Sequence, residues 1–387
     1  MDRRQFLTTG LTGLTSLAGL AGVAALPLRA GAPADALAEP GLIELSSRPT
    51  NYESTRGVFV ERLTPTKHFY LRSHFDAPVV DPSTWRLAIS GLVAEPLSLS
   101  LRELEQMPQT TIEAVLQCAG NGRALFQPRM PGVQWQRGAM GNAQWRGVRL
   151  RDVLLRARPR AEAKHAHLRG ADGPMMPTTP SFLRAVPMAK ALHEDTLIAL
   201  SMNGRPLPHL HGGPARLVMP GWVADGWTKW IKDIVVDFDE PKGFFYETAY
   251  RFPRTPVTAG AAVPPENMAP MSSLNVKSII ASPAGDRPLQ PGKHDVVGVA
   301  FSGGNGVARV EVRVDDGPWQ LAQLDGPGTP YGFRLFHSVF QPTKPGRYLL
   351  RSRAVDERGA VQPEQPAWNP SGYLYNAIDP VSVQVGA

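Results

Sequence analysis

Beyond about residue 40, short apolar runs alternate with polar punctuation, and the rhythm changes part-way along the chain. Ser100-Leu-Arg-Glu103 has capping-box spacing and predicts a short helix starting there. Residues 111–117 read as a strand running into Cys118, and Gly120-Asn121-Gly122 breaks it. Residues 150–157 place apolar side chains at helical spacing, while 165–168, 196–202 and 215–219 predict strands. Asn203-Gly204 marks a tight turn. Helices and strands mix here without regular alternation, which predicts an α+β domain over 39–265.

A Pro- and Ala-rich stretch, 253–271, reads as a seam. Strands then recur at short spacing: 296–301, 307–314 and 347–355, with Asp315-Asp316-Gly317 turning toward Trp319. This predicts an all-β second domain over 266–387, a sandwich of immunoglobulin-like type.

The first residues do not fit either pattern. Arg3-Arg4-Gln-Phe6-Leu7 precedes a weakly apolar stretch ending in small-residue cleavage candidates near 30 and 38. Residues 1–38 therefore read as a twin-arginine signal, with a periplasmic destination and no stable membrane span after processing. The alternative is an uncleaved anchor, for which the Gly and Thr content is poor.

Composition narrows the chemistry. With 37 glycines and 38 prolines in 387 residues, turns and strands are favoured over long helices. The net charge of +7 is not organised into basic runs interleaved with aromatics, so nucleic acid is a poor partner and a small anion a better one. A single cysteine excludes an intramolecular disulfide, a thiolate zinc cluster and covalent haem attachment. Cys118 is thus an inert buried residue or the one thiol the chemistry needs. Its setting is a strand end, a glycine-flanked loop and then Arg123, which suits a nucleophile or a soft metal ligand.

The stretch Cys118-Ala-Gly-Asn-Gly-Arg123 resembles the molybdenum-ligand motif of the sulfite oxidase family. Further matches follow in the same order: Phe69-Tyr-Leu-Arg72-Ser-His74, Gly141-Asn-Ala-Gln-Trp145, Gly170-Ala-Asp172 and Met202-Asn-Gly204. His211-Gly-Gly-Pro-Ala-Arg216, Pro220-Gly-Trp and Lys229-Trp230 continue the series. Arg353-Ala-Val-Asp356 and Trp368-Asn369-x-x-Gly372 are similar to the family's dimerisation domain. The likeness spans roughly residues 60–385.

The resemblance implies a molybdopterin cofactor with Cys118 as a thiolate ligand to molybdenum. It places Arg72, Arg123, Trp135 and Tyr250 around the substrate. It assigns Tyr70, Leu71, Arg72, His74, Asp172, His211, Arg216, Trp227, Thr228 and Lys229 to the cofactor. Structural alternatives remain for Tyr250 and for His211, which could be a core histidine; His209-x-His211 also hints at zinc but lacks a third ligand nearby. The implied reaction is oxidation of sulfite to sulfate, with electrons passed singly to an external carrier such as a c-type cytochrome, by a homodimer.

Two positions depart from the vertebrate pattern: Pro131 stands where those members carry a basic residue, and Pro370-Ser371 where they have arginine. The rival readings are a sulfane dehydrogenase subunit of a thiosulfate-oxidising complex, a methionine-sulfoxide reductase, and a cofactor-free secreted binding module.

Overall fold

The computed structural model describes residues 41–386; the signal expected at 1–38 lies outside them. Among the described residues, no helix is long and apolar enough to cross a membrane. The described chain is mostly sheet, with four α-helices of four to eight residues. Ser100 caps Leu101–Gln106 in a complete capping box, and Leu150–Ala157 forms a helix with the bounds its spacing predicts.

Three sheets build the first lobe. One joins Leu42–Ser46, Asn51–Ser54 and Leu71–Arg72. The second runs in the order Arg205–Pro206, Leu197–Met202, Met140–Arg149, Gln109–Gln117, with Arg216–Val218 paired to Leu197–Met202. Asn203 and Gly204 turn its edge hairpin, both with positive φ (51° and 75°) as such a tight turn requires. In the third, Ile231–Asp237 lies between Arg86–Gly91, which runs parallel to it, and His165–Gly170. Leu87, Ile89, Trp145, Leu154, Leu168 and Ile234 are wholly or almost wholly buried in the core they share.

The second lobe has two four-stranded sheets, both antiparallel. Ile280, Val296 and Phe336 from one sheet share a core with Val310, Leu350 and Val383 from the other. Within the stretch 253–271, Met268–Pro270 pairs with Arg251–Pro253, so the two ends lie side by side. The two lobes also share a core, in which Phe59, Val115, Met140 and Tyr250 pack with Ile279, Phe301, Phe333 and Tyr373. Each fully buried aromatic there contributes about 1.5–3 kcal/mol. The second lobe therefore forms part of the wall behind the Cys118 loop.

Candidate active site

Cys118 leaves the strand Gln109–Gln117 with its amide still bonded to the Ala139 carbonyl at 2.9 Å. Asn121 fastens the turn that follows, donating to Gln117 Oε1 at 3.0 Å and accepting from the Ala139 amide at 3.1 Å. Gly122 adopts φ 89°, and a side chain there would meet Tyr375. A Cβ at Gly120 would lie 2.8 Å from the Arg123 guanidinium. Glycine is required at both positions, for different reasons.

The thiol forms part of the lining of an open cleft. Twelve of the residues assigned by resemblance line it: Tyr70, Leu71, Arg72, His74, Cys118, Asp172, His211, Arg216, Trp227, Thr228, Lys229 and Tyr250. Arg123 and Trp135 do not. Trp135 is wholly buried, edge-on to Tyr70 at 6.3 Å, so it supports the wall without facing the space. Arg123 is buried beside the loop, donating to the Ser371 carbonyl at 2.9 Å and the Val133 carbonyl at 3.0 Å. It reaches the thiol through space: burial pushes the Cys118 thiol up, and the Arg72 and Arg123 charges partly oppose that.

Cations collect at one part of the cleft. Arg216 donates to the carbonyls of His211 and Trp227, both at 2.9 Å, and lies over the Trp145 ring. Lys229 donates to Ser73 Oγ at 2.8 Å and to the Leu210 carbonyl at 3.2 Å. Burial and the neighbouring Arg216 and Arg72 charges hold the Lys229 ammonium well below its ordinary value, with Asp172 opposing them. Burial pushes Arg216 down to about 10. Burial, Arg216 and Lys229 push His211 down to about 3, so its imidazole is neutral. These groups are crowded with like charge and short of anions.

At the reacting side, Tyr250 Oη shares a 2.5 Å hydrogen bond with His74 Nε2, and the His74 ring stacks on Phe182 at 3.9 Å. Burial and the Arg72 charge hold His74 well below its ordinary value, so it is neutral. Burial pushes the Tyr250 hydroxyl up, which keeps it protonated. Arg72 donates to Asn51 Oδ1 at 3.2 Å and to the Ser73 carbonyl.

The cleft contains further residues that the sequence did not single out, including Ser73, Phe182 and Asp225. Ser73 lies inside the quoted Phe69–His74 segment. Asp225 lies between Pro220-Gly-Trp and Lys229, where position alone could have drawn attention to it.

The lining fits an anionic pterin cofactor. Its cations outnumber its carboxylates, Thr228 Oγ1 is buried without a partner, and a thiol faces the space. Among the described residues no group of three or more His, Cys, Asp or Glu could by itself hold a metal ion. A metal bound at Cys118 would thus take most of its ligands from a cofactor.

This is the cleft and fold of a molybdopterin-binding oxidoreductase. Residues 74–245 match the oxidoreductase molybdopterin binding domain, and 268–386 match the Mo-co oxidoreductase dimerisation domain. The chain belongs to the sulfite oxidase family. It is 33% identical to mitochondrial sulfite oxidase of Rattus norvegicus over 378 residues, which cover 93% of this chain and 69% of that protein. Sulfite oxidase of Gallus gallus is 35% identical, with 89% and 78% covered. The crystal structure of the sulfane dehydrogenase SoxCD from Paracoccus pantotrophus superposes with a TM-score of 0.77 at 27% identity, covering 92% of this chain and 91% of that one.

Proposed function

We propose that this protein oxidises sulfite to sulfate with an oxygen atom drawn from water, releasing two protons to solvent and passing two electrons singly to an external acceptor such as a c-type cytochrome. The observation that carries this reading is the chain's one thiol opening onto a cation-rich cleft shaped for an anionic cofactor. Bound there, a molybdopterin centre supplies oxygen-atom transfer coupled to a two-electron change.

The protein's own groups bind and orient. Cys118 holds the metal as thiolate. Arg216 and Lys229 take the cofactor phosphate, while Asp172 accepts hydrogen bonds from the pterin. Arg72 and the protonated Tyr250 hydroxyl receive the substrate dianion, and neutral His74 fixes the direction of that hydroxyl. Arg123 adds positive potential without leaving its two carbonyl partners.

We further propose that the second lobe is an immunoglobulin-like sandwich that pairs two copies of the chain, and that the protein works in the periplasm. A second reading, the oxidation of sulfane sulfur carried on another protein, draws support from the likeness to SoxCD over most of both chains.

Metal analysis coupled to sulfite-dependent cytochrome c reduction tests the proposal. One molybdenum per chain and turnover of free sulfite are expected, with Cys118→Ser folding normally and inactive. A molybdenum-loaded protein that ignores free sulfite and turns over only protein-bound sulfane would overturn it in favour of the second reading.

A further inference from the structure

Behind Tyr250 lies a charged pair outside the roles assigned above. Arg184, in the strand Leu183–Pro187, donates one Nη to Asp225 and the other to the Phe245 carbonyl. The two side chains are only 3% and 4% exposed. The guanidinium lies 5.1 Å from the centre of the Tyr250 ring and 5.3 Å from that of Tyr246. One side chain therefore ties together the strand, the turn Ala224–Gly226 on the cleft wall, the helix Phe244–Glu247 and Tyr250 itself.

Tyr250 needs such a hold. Its φ is 58°, a left-handed conformation that a tyrosine keeps only where its surroundings enforce it. Its ring stacks on Tyr373 of the second lobe at 5.5 Å and 11°, and the Tyr373 ring lies 5.1 Å from the Arg123 guanidinium. A line of contacts, Arg184–Tyr250–Tyr373–Arg123, thus runs from the cleft wall to the loop that carries Cys118. A buried ion pair is a costly way to fill space, since well-packed apolar side chains often do as well or better. What it adds here is geometry: a forked donor with both arms occupied cannot rotate, so the ring against it is held too. The pairing also ties up Asp225, one of two carboxylates that line the cleft, and so lowers the negative charge facing an incoming anion.

We propose that Arg184, clamped by Asp225, is a positioning residue that sets the Tyr250 hydroxyl for the substrate anion. The proposal rests on the sulfite-oxidising reading above. It places a determinant of hydroxyl position in the buried pair packed against the Tyr250 ring, alongside the hydrogen bond to His74.

The test is a double-mutant cycle in the full, molybdenum-loaded chain, with Arg184→Met, Tyr250→Phe and both together. Near-ultraviolet circular dichroism of the tyrosines is recorded on loaded and cofactor-free protein. Arg184→Met should keep its molybdenum and lower kcat/KM for sulfite about tenfold, chiefly through kcat. In the Tyr250→Phe background it should cost less than twofold, because the hydroxyl it positions is gone. The near-ultraviolet signal of the Tyr250–Tyr373 pair should change in both protein forms. Arg184→Lys, which keeps a charge but no fork, should behave like Arg184→Met and serves if methionine impairs folding.

An equal loss in both backgrounds, or an unchanged tyrosine signal in a folded variant, would overturn the proposal. Failure of the wild-type protein to oxidise sulfite would instead sink the functional reading; the spectrum of cofactor-free protein would still decide whether Arg184 holds Tyr250.

Discussion

Arg123 Nε donates to the carbonyl of Ser371 at 2.9 Å, so the loop that follows Cys118 is fastened directly to the second lobe. Its Nη1 is held by the Val133 carbonyl, and the guanidinium lies over Tyr373. Replacing Arg123 with methionine leaves two carbonyls short of a charged donor in a buried place. The expected cost is about 2–3 kcal/mol, read as a lower midpoint in chemical denaturation. Sulfite turnover should fall as well, through loss of positive potential near the thiol. Wild-type stability in this variant would show that neither hydrogen bond matters.

Gly120 permits that arrangement. A Cβ there would meet Cζ and both terminal nitrogens of Arg123 at 2.8 Å, and the pinned guanidinium has little room to yield. Gly120→Ala is expected to destabilise by about 1–3 kcal/mol and to lower sulfite kcat/KM severalfold. Gly57→Ala is the control, since nothing lies within 4 Å of its added carbon. Equal thermal midpoints for the two variants would refute the argument.

The lobes are also joined through Asp379, whose carboxylate is 4% exposed and bonded to Arg56 at 2.5 Å and to Arg137. Burial alone would push this carboxyl up; the Arg137 hydrogen bond and the two guanidinium charges more than offset that and hold it below its ordinary value. Its folded value is therefore lower than its unfolded one. The stabilisation is fully present above about pH 4–5, around and above the unfolded carboxylate value, and is lost as pH falls through the lower folded value. Asp379→Asn should cost about 3 kcal/mol at pH 7, because it leaves buried cations without a counter-charge. The gap to wild type should narrow as pH drops below about 4. A pH-independent gap in urea titrations would show that the carboxylate charge is not what joins the lobes.

The parts of this molecule that could be read in advance depend on local spacing. The capping box at Ser100, the helix Leu150–Ala157 and the strand ending before Cys118 each need only neighbouring residues to specify them. The cleft residues could be placed because most sit in short ordered motifs. What escaped depends on contacts between distant segments. Arg184 meets Asp225 across 41 residues, with nothing in either neighbourhood to announce the pairing. Trp135 and Arg123 stand at motif positions, yet packing turns one into the core and ties the other to Ser371. At the seam 253–271, the pairing of Met268–Pro270 with Arg251–Pro253 closes the two ends of a stretch otherwise made of turns, a contact that its proline content conceals.

Lys229 offers a test in which stability and cofactor binding move in opposite directions. Without an anion in the cleft, its ammonium is buried beside Arg216 and Arg72 with only Asp172 to oppose them, and its folded value is well below that of a free lysine. A lysine depressed in this way makes the folded state less stable wherever it is charged. Stability of cofactor-free protein should therefore rise as pH climbs from the folded value toward the free-lysine value near 10.4. Lys229→Met removes the charge and keeps much of the volume. Cofactor-free Lys229→Met should be more stable than wild type by about 1 kcal/mol at pH 7, and should lose the rise with pH. The loaded variant should release its pterin faster in a fluorescence assay, because one of two phosphate cations is gone. A variant that is less stable without cofactor, yet retains it as well as wild type, would show that Lys229 is a structural residue and that the phosphate lies elsewhere.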